Sequence, residues 1–329
     1  MLVKIPKLKN FIKQIILTEY SENEADIITD VILFGELAGR QSHGLLRLLK
    51  NNYGVFDCIP KGKPEYVHKT KVSTIIDAKE NPGMLIAPLA MQEVIRLAKK
   101  SGIGIVGVKG YFNTTGAISY YCEKIAKENL ICMIFPQAVP IISPFNAKKA
   151  LFGTNPIAFG IPSDPHPIIF DMSTSAIAWG KVLKHKLEHT ALPEDVAIDE
   201  EGNLTTDAQK AVATRAFDAS YKGSGLAMIV EIFGGLLTGA AYEGLHKDKG
   251  DGSLFLAFSP ELLQNIDEFK QKTKEFIETL RNAPTTDGKK IRIPGENAIT
   301  IRDNHVVKGV IEINDAVIEE LKKRYHITL

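Results

Sequence analysis

The chain has 329 residues, 44% hydrophobic and 24% charged, which supports a large buried core and ordinarily two domains, and excludes wholesale disorder. Its 40 basic and 39 acidic side chains leave a formal charge of +1, which gives nucleic acid no broad electrostatic footprint. The three cysteines, Cys58, Cys122 and Cys132, form no CxxC pair, and no apolar run reaches the roughly 18–20 residues of a membrane span, so a metal-free cytoplasmic chain is expected.

Met1–Leu17 is basic and apolar, but Phe11, Ile12, Ile15 and Ile16 recur at helical spacing with no small-residue cleavage site behind them. The segment therefore reads as a first helix rather than a targeting peptide. Ser21 and Glu24 form a capping box ahead of the stripe Ala25, Ile28, Val31 and Ile32. That helix should run to about Gly39 and place Arg40–His43 at its exit. Pro60–Lys71 reads as a loop. Val72–Asp77 follows as a strand, Asn81-Pro82-Gly83 as a turn, and Met84–Lys100 as a helix in which Pro88 is tolerable only in the first turn.

Ile103–Val108 and Ile131–Phe135 are strand-like and flank the helix Ala117–Asn129. Ile157–Ile161 and Ile168–Asp171 read as buried strands, separated by a turn around Ser163-Asp164-Pro165. Lys184–Ala211 is charged and loop-rich. Gly225–Ala241 is nearly all apolar, a helix for a core or a subunit interface, with Phe233, Leu236 and Leu237 read as core. Ser253–Phe258 is a strand, and Pro260–Arg281 and Asn314–Arg324 are helices.

Two motifs mislead. Gly102-Ile103-Gly104-Ile105-Val106-Gly107 fits G-x-G-x-x-G, but dinucleotide binding needs that motif between a strand and a helix. Here it follows a helix and itself reads as a strand, so a helix C-cap with small strand residues is expected instead. His185-Lys186-Leu187-Glu188-His189 fits H-x-x-E-H, yet Pro193 follows too soon for the long helix a zinc site needs, and a solvated charged loop is expected.

Four segments concentrate residues suited to a polar ligand. Arg40-Gln41-Ser42-His43-Gly44, followed by Arg47, offers a proton donor near neutral pH and a carboxylate-gripping guanidinium one turn away. The alternative is a helix-exit histidine that caps carbonyls. Phe170-Asp171-Met172-Ser173-Thr174-Ser175 ends a strand in hydroxyls that suit a phosphate or carboxamide, or that merely cap a helix. In Gly153-Thr154-Asn155-Pro156, the proline pushes Asn155 toward extended backbone. Tyr221-Lys222-Gly223-Ser224-Gly225 opens the apolar helix with a cation and flexible backbone.

Taken in order, GRQSHGLLR (Gly39–Arg47), ALFGTNPIAFGIP (Ala150–Pro162), IIFDMSTSAIAWGKV (Ile168–Val182), YKGSGLAMIVEIFGGLLTG (Tyr221–Gly239) and PGE (Pro294–Glu296) resemble the malate/L-lactate dehydrogenase family, over essentially the whole chain. The resemblance implies an α/β fold without a Rossmann domain, built on a mixed, largely antiparallel sheet beside a helical domain. Residues 1–70 with about 212–250 would form the helical part, and 71–211 with about 251–329 the cofactor-binding part. It further implies a homodimer that uses NAD or NADP to move a hydride to or from a small 2-oxo or 2-hydroxy acid.

In that family His43 would be the proton donor, with Asp171 orienting its ring. Arg47 is the candidate for the substrate carboxylate, and Ser42 for a hydrogen bond to substrate or carboxamide. Cofactor contacts would fall on Ile169, Phe170, Met172, Ser173, Thr174 and Ser175, on Lys222 and Gly223, and on Gly295, Glu296 and Asn297. Three positions depart from the family pattern: Thr114 replaces a histidine, Asn51 a tyrosine and Asn297 a basic residue. They leave two alternatives open, a reductase of cyclic 2-imino acids and a catalytically weakened nucleotide-binding homologue.

Overall fold

A computed structural model of the chain describes residues 1–49, 54–241 and 250–329; Asn51 and the end of the segment 212–250 lie outside that range. Its strands are β1 Leu2–Lys4, β2 Glu65–Val67, β3 Ser73–Asp77, β4 Ile103–Tyr111, β5 Ile131–Pro136, β6 Ile142–Ser143, β7 Ile157–Ile161, β8 Ile168–Met172, β9 Ala197–Ile198, β10 Ala213–Arg215, β11 Asp251–Phe258 and β12 Val310–Glu312. Its α-helices are α1 Ile5–Ile16, α2 Glu22–Leu37, α3 Gly83–Ser101, α4 Ile118–Lys127, α5 Trp179–Glu188, α6 Tyr221–Val230, α7 Ile266–Asn282, α8 Glu296–Lys308 and α9 Asp315–Tyr325.

Seven strands form the main sheet in the order β2-β3-β4-β11-β5-β7-β8. Only β3 and β4 pair in parallel; the other neighbours are antiparallel, as expected for the mixed sheet. Alternation of side chains along each strand divides the apolar residues between two clusters. Val106, Val108, Ile134, Phe255 and Ala257 face α1, α2, α3, α4 and α9, where Leu8, Phe11, Ile28, Ile32, Val94, Tyr121, Ile318 and Leu321 pack with them. Phe135, Ile157 and Leu254 face the other way, toward Val230 of α6. Short pairings complete the fold: β1 with β12, and β6, β10 and β9 together.

Several elements differ from the sequence reading. The apolar stretch is α6 followed by a widened π turn over Glu231–Leu236, and Phe233, Leu236 and Leu237 are 37%, 47% and 60% exposed rather than core. Apolar composition signals burial without saying whether the same chain provides it. α5 covers the start of the segment read as a loop, so the His185–His189 motif ends a helix, with His189 in left-handed backbone. Among the described residues no cluster suits a metal. Pro88 falls in the second turn of α3, where it removes one helical hydrogen bond. The G-x-G-x-x-G motif behaves as expected, with Gly102 ending α3 and the rest lying in β4.

Ile28 is fully buried at the junction of α2 with this core. Ile28→Ala should cost about 2–5 kcal/mol. In urea melts this should lower the midpoint with little change in slope; a midpoint within error of wild type would show that α2 is not part of the cooperative core.

Candidate active site

Helix α2 starts at the anticipated cap, where the Glu24 carboxylate accepts from the Ser21 amide at 2.9 Å and from its hydroxyl at 2.7 Å. It ends at Leu37, and the chain then makes two single 3-10 turns, Gln41–His43 and Leu45–Leu48, broken at Gly44. Arg47 is therefore not on a continuous helix with His43, although its charge reaches the ring.

Among the described residues two side chains hold this segment, and a third holds Val55 and Cys58 further along the chain. Glu36 Oε2 accepts from the Leu45 amide at 2.9 Å, and the Tyr325 hydroxyl donates to the Leu48 carbonyl at 2.5 Å. The Tyr20 hydroxyl donates to the carbonyls of Val55 and Cys58 at 2.7 and 2.8 Å.

His43 Nδ1 lies 3.0 Å from Ser42 Oγ, which leaves Nε2 for exchange with a ligand. The ring keeps a partly open surface but is set deep among protein atoms. That burial, reinforced by the neighbouring Arg47 and Arg40 charges, lowers its pKa from the ordinary 6.5 to about 3. The free chain thus carries a neutral imidazole beside two cations.

Strand β8 is the last strand of the sheet, and its outer edge organises the rest. The Ile169 amide donates to the Pro294 carbonyl at 3.2 Å, joining the Pro-Gly-Glu turn to the strand. Gly295 has φ +88°, and a Cβ there would sit 2.8 Å from the Ile169 carbonyl oxygen, so both the turn and the approach require glycine. No helix is expected after this turn from the residue pattern, yet Gly295 opens α8. Glu296 accepts from the Ile293 amide at 3.2 Å and pairs with Arg281 at 2.8 Å, and Asn297 is exposed. Asp171 Oδ2 accepts from the Ser119 amide at 3.1 Å, so the carboxylate lies against the start of α4. Arg40, Ser119, Glu123, Ile169, Gly295 and Arg302 share one small cavity, on whose wall Glu123 and Arg302 form an ion pair.

Past β8, Ser173 and Thr174 do not cap a helix. Ser173 Oγ donates to the Thr154 carbonyl at 3.0 Å and Thr174 Oγ1 to the Asn155 carbonyl at 3.0 Å, while Ser173 and Ser175 hydroxyls meet at 2.6 Å. Asn155 has φ +36°, not the extended backbone expected before proline. Its side chain accounts for the difference: Nδ2 is buried and donates to the Ala227 carbonyl at 3.0 Å and to Glu231 Oε2 at 2.7 Å. Before α6, Ser220 Oγ accepts from the Lys222 amide at 3.1 Å and Asp218 Oδ1 from the Gly223 amide at 3.3 Å, leaving the Lys222 side chain exposed. The Phe217 amide donates to the Thr174 carbonyl at 2.7 Å.

The five motifs are thereby linked. Arg40 shares a cavity with Ile169 and Gly295, residues 173–174 bind 154–155, and Asn155 binds α6 and the π turn. Thr114 Oγ1 accepts from the Gly116 amide at 3.0 Å in the loop before α4, where the buried Asn113 Nδ2 has no hydrogen-bond partner.

Sequence reasoning missed Glu36 and Ser119 as parts of this region and gave Arg40 no role beyond its place in the segment before His43. Glu36 left a signal, being an acid four residues beyond Ile32 on the stripe reserved for apolar residues.

Comparison with known proteins adds an independent finding. A family profile described as malate/L-lactate dehydrogenase matches residues 3–322. The malate/(S)-sulfolactate dehydrogenase of Methanothermus fervidus is 32% identical over 314 residues, which is 92% of this chain and 91% of that protein. Malate dehydrogenase from Entamoeba histolytica superposes with a TM-score of 0.90 at 25% identity, over 100% of this chain and 99% of the other. Delta1-piperideine-2-carboxylate reductase from Pseudomonas syringae superposes at 0.86 and 25% identity, over 98% and 99%.

A buried neutral imidazole has a consequence for stability. Between pH 6.5 and about 3 the unfolded chain binds a proton at this position that the folded chain refuses, so stability falls as pH falls through that window. His43→Gln should blunt this loss, and melting temperatures of both proteins at pH 7.5 and 5 would measure it; parallel losses in the two would refute the neutral state.

Proposed function

The chain belongs to the malate/L-lactate dehydrogenase family and is an NAD(P)-dependent oxidoreductase of small 2-hydroxy acids; we propose that His43 is its proton donor and that its substrate is a malate- or lactate-like acid. The observation that supports this most directly is the imidazole itself. It is oriented through Nδ1 by Ser42, has Nε2 unengaged among the described residues, and lies within electrostatic reach of Arg47 and Arg40.

The groups around β8 suit a dinucleotide in kind. The outer edge of the strand, the hydroxyls of Ser173 and Ser175, the Lys222 ammonium and the side-chain-free approach at Gly295 offer neutral donors, acceptors and one cation. Those are the partners a carboxamide, ribose hydroxyls and a pyrophosphate require. On this reading Ile169, Phe170, Met172, Ser173, Thr174 and Ser175 hold the cofactor together with Lys222, Gly223, Gly295, Glu296 and Asn297. The bound nicotinamide supplies or takes the hydride at C2 of the acid.

This chain's own residues do the remainder. Arg47 grips the substrate carboxylate, and His43 Nε2 gives the developing alkoxide its proton or removes it in the reverse direction. Ser42 orients the ring through Nδ1. Asp171 holds the start of α4 against β8 and, on this reading, orients the imidazole once cofactor and substrate are bound. An anionic substrate adds negative charge beside the ring, so its arrival raises the proton affinity of His43 when the proton is needed.

A second reading is favoured by one specific observation, the structural likeness to a cyclic imine reductase combined with Thr114 in place of histidine. Absorbance at the nicotinamide band with pyruvate, oxaloacetate and cyclic 2-imino acids separates the two. Turnover of imines alone would replace the first. His43→Ala should lower kcat about 10²–10⁴-fold with cofactor affinity retained; a variant as fast as wild type would end the assignment.

The same reading gives a homodimer in the cytoplasm. Ile229, Ile232, Phe233, Leu236 and Leu237 expose apolar surface along α6 and the π turn, more than a lone chain ordinarily leaves in one stripe. The three free cysteines, two of them buried, suit a reducing compartment. Among the described residues no helix is long and apolar enough to cross a membrane. Leu237→Asp with Ile229→Asp should convert a dimer to a monomer in light scattering after size exclusion; a dimer unaffected by both charges would place the interface elsewhere.

A further inference from the structure

Among the groups the mechanism leaves unused, Glu36 stands out by its position. It is 5% exposed, on the last turn of α2, where the stripe residues preceding it, Ala25, Ile28 and Ile32, are apolar and fully buried. Burying a carboxylate there costs desolvation that an apolar residue would avoid. Among the described residues the carboxylate accepts from one backbone amide and lies within electrostatic reach of His305. Leu45 is the first residue after the break at Gly44, is itself buried, and its amide has Glu36 Oε2 as acceptor at 2.9 Å. Without that oxygen the amide would be an orphan donor inside the protein.

Gly44 completes the fit, because a Cβ at this position would fall on Glu36 Oε2. The missing side chain is what admits the carboxylate. On the other flank of His43, its amide donates to the Arg40 carbonyl at 2.7 Å, and the Arg40 amide donates to the Gly35 carbonyl at 2.8 Å. His43 is therefore pinned on both sides to the same helical turn, once through backbone and once through Glu36.

We propose that Glu36 is a positioning residue for proton transfer, its buried oxygen fixing the Gly44–Leu45 turn and thereby the direction of the His43 imidazole. This rests on His43 being the proton donor. An acceptor is needed and a full charge is not, so the amide of glutamine can replace the carboxylate while alanine cannot.

The test compares wild type with Glu36→Gln, Glu36→Ala and Gly44→Ala. The last displaces the carboxylate without changing it and carries the test if Glu36→Ala does not fold. The imidazole signals of His43, assigned among the eight histidines by their loss in His43→Gln, are followed by NMR against pH without cofactor or substrate. Glu36→Ala and Gly44→Ala should move the ring signals and their titration midpoint, and Glu36→Gln should leave both in place.

In turnover, Glu36→Ala should lose at least about tenfold in kcat with cofactor affinity within about twofold, and Glu36→Gln should recover most of the loss. Unchanged His43 signals in Glu36→Ala and Gly44→Ala would overturn the proposal, as would an equal kcat loss in Glu36→Gln. Absence of turnover in wild type with every acid and imine would instead count against the functional reading above, while the NMR comparison would still decide whether Glu36 sets the ring.

Discussion

The unpaired edge of β8 is the constraint on which the site depends. A terminal strand presents a row of amides and carbonyls that invites pairing with other chains, and proteins ordinarily cover or charge it. Here the cover is partial and specific. The Pro294 carbonyl takes the Ile169 amide at this edge, while away from it the Asp171 side chain takes the amide of Ser119 and the hydroxyls just beyond the strand bind Thr154 and Asn155. Each of these partners comes from a different part of the sequence, so one short strand gathers α4, the turn before α8, the turn before β7 and, through Asn155, α6.

Electrostatics around His43 follow the same economy. Two arginines and a buried ring would be a poor arrangement for an empty cavity, since they favour the uncharged imidazole. They suit a site whose ligand is an anion. On the proposed function an anionic substrate would bring negative charge to this ring, and so tie readiness for proton transfer to occupancy.

Much of this was legible in the sequence. Strands with period-two alternation and helices with clear caps fell close to their expected places, and the inverted context of the glycine motif correctly removed a Rossmann fold. What stayed hidden depends on partners remote in sequence. The left-handed backbone of Asn155 is set by Ala227 and Glu231, against the local preference of a residue before proline. The exposure of Phe233, Leu236 and Leu237 could not be told from burial by hydropathy alone. The helix after Gly295 escaped notice because its apolar positions are few and only Ile299 is buried. Glu36 broke the apolar stripe of α2, but only the fold shows which amide it serves.

The pairing of β1 with β12 has its own implication for how the molecule is made. Leu2–Lys4 lie beside Val310–Glu312, and α1 packs in the same cluster as Ile313, Ile318 and Leu321. The strand pairing thus joins segments separated by most of the chain, whereas α1 itself packs mainly on its neighbour α2. Closure over so long a span of chain is entropically slow, so this two-stranded pairing is a late event of folding, after α1 has settled on α2.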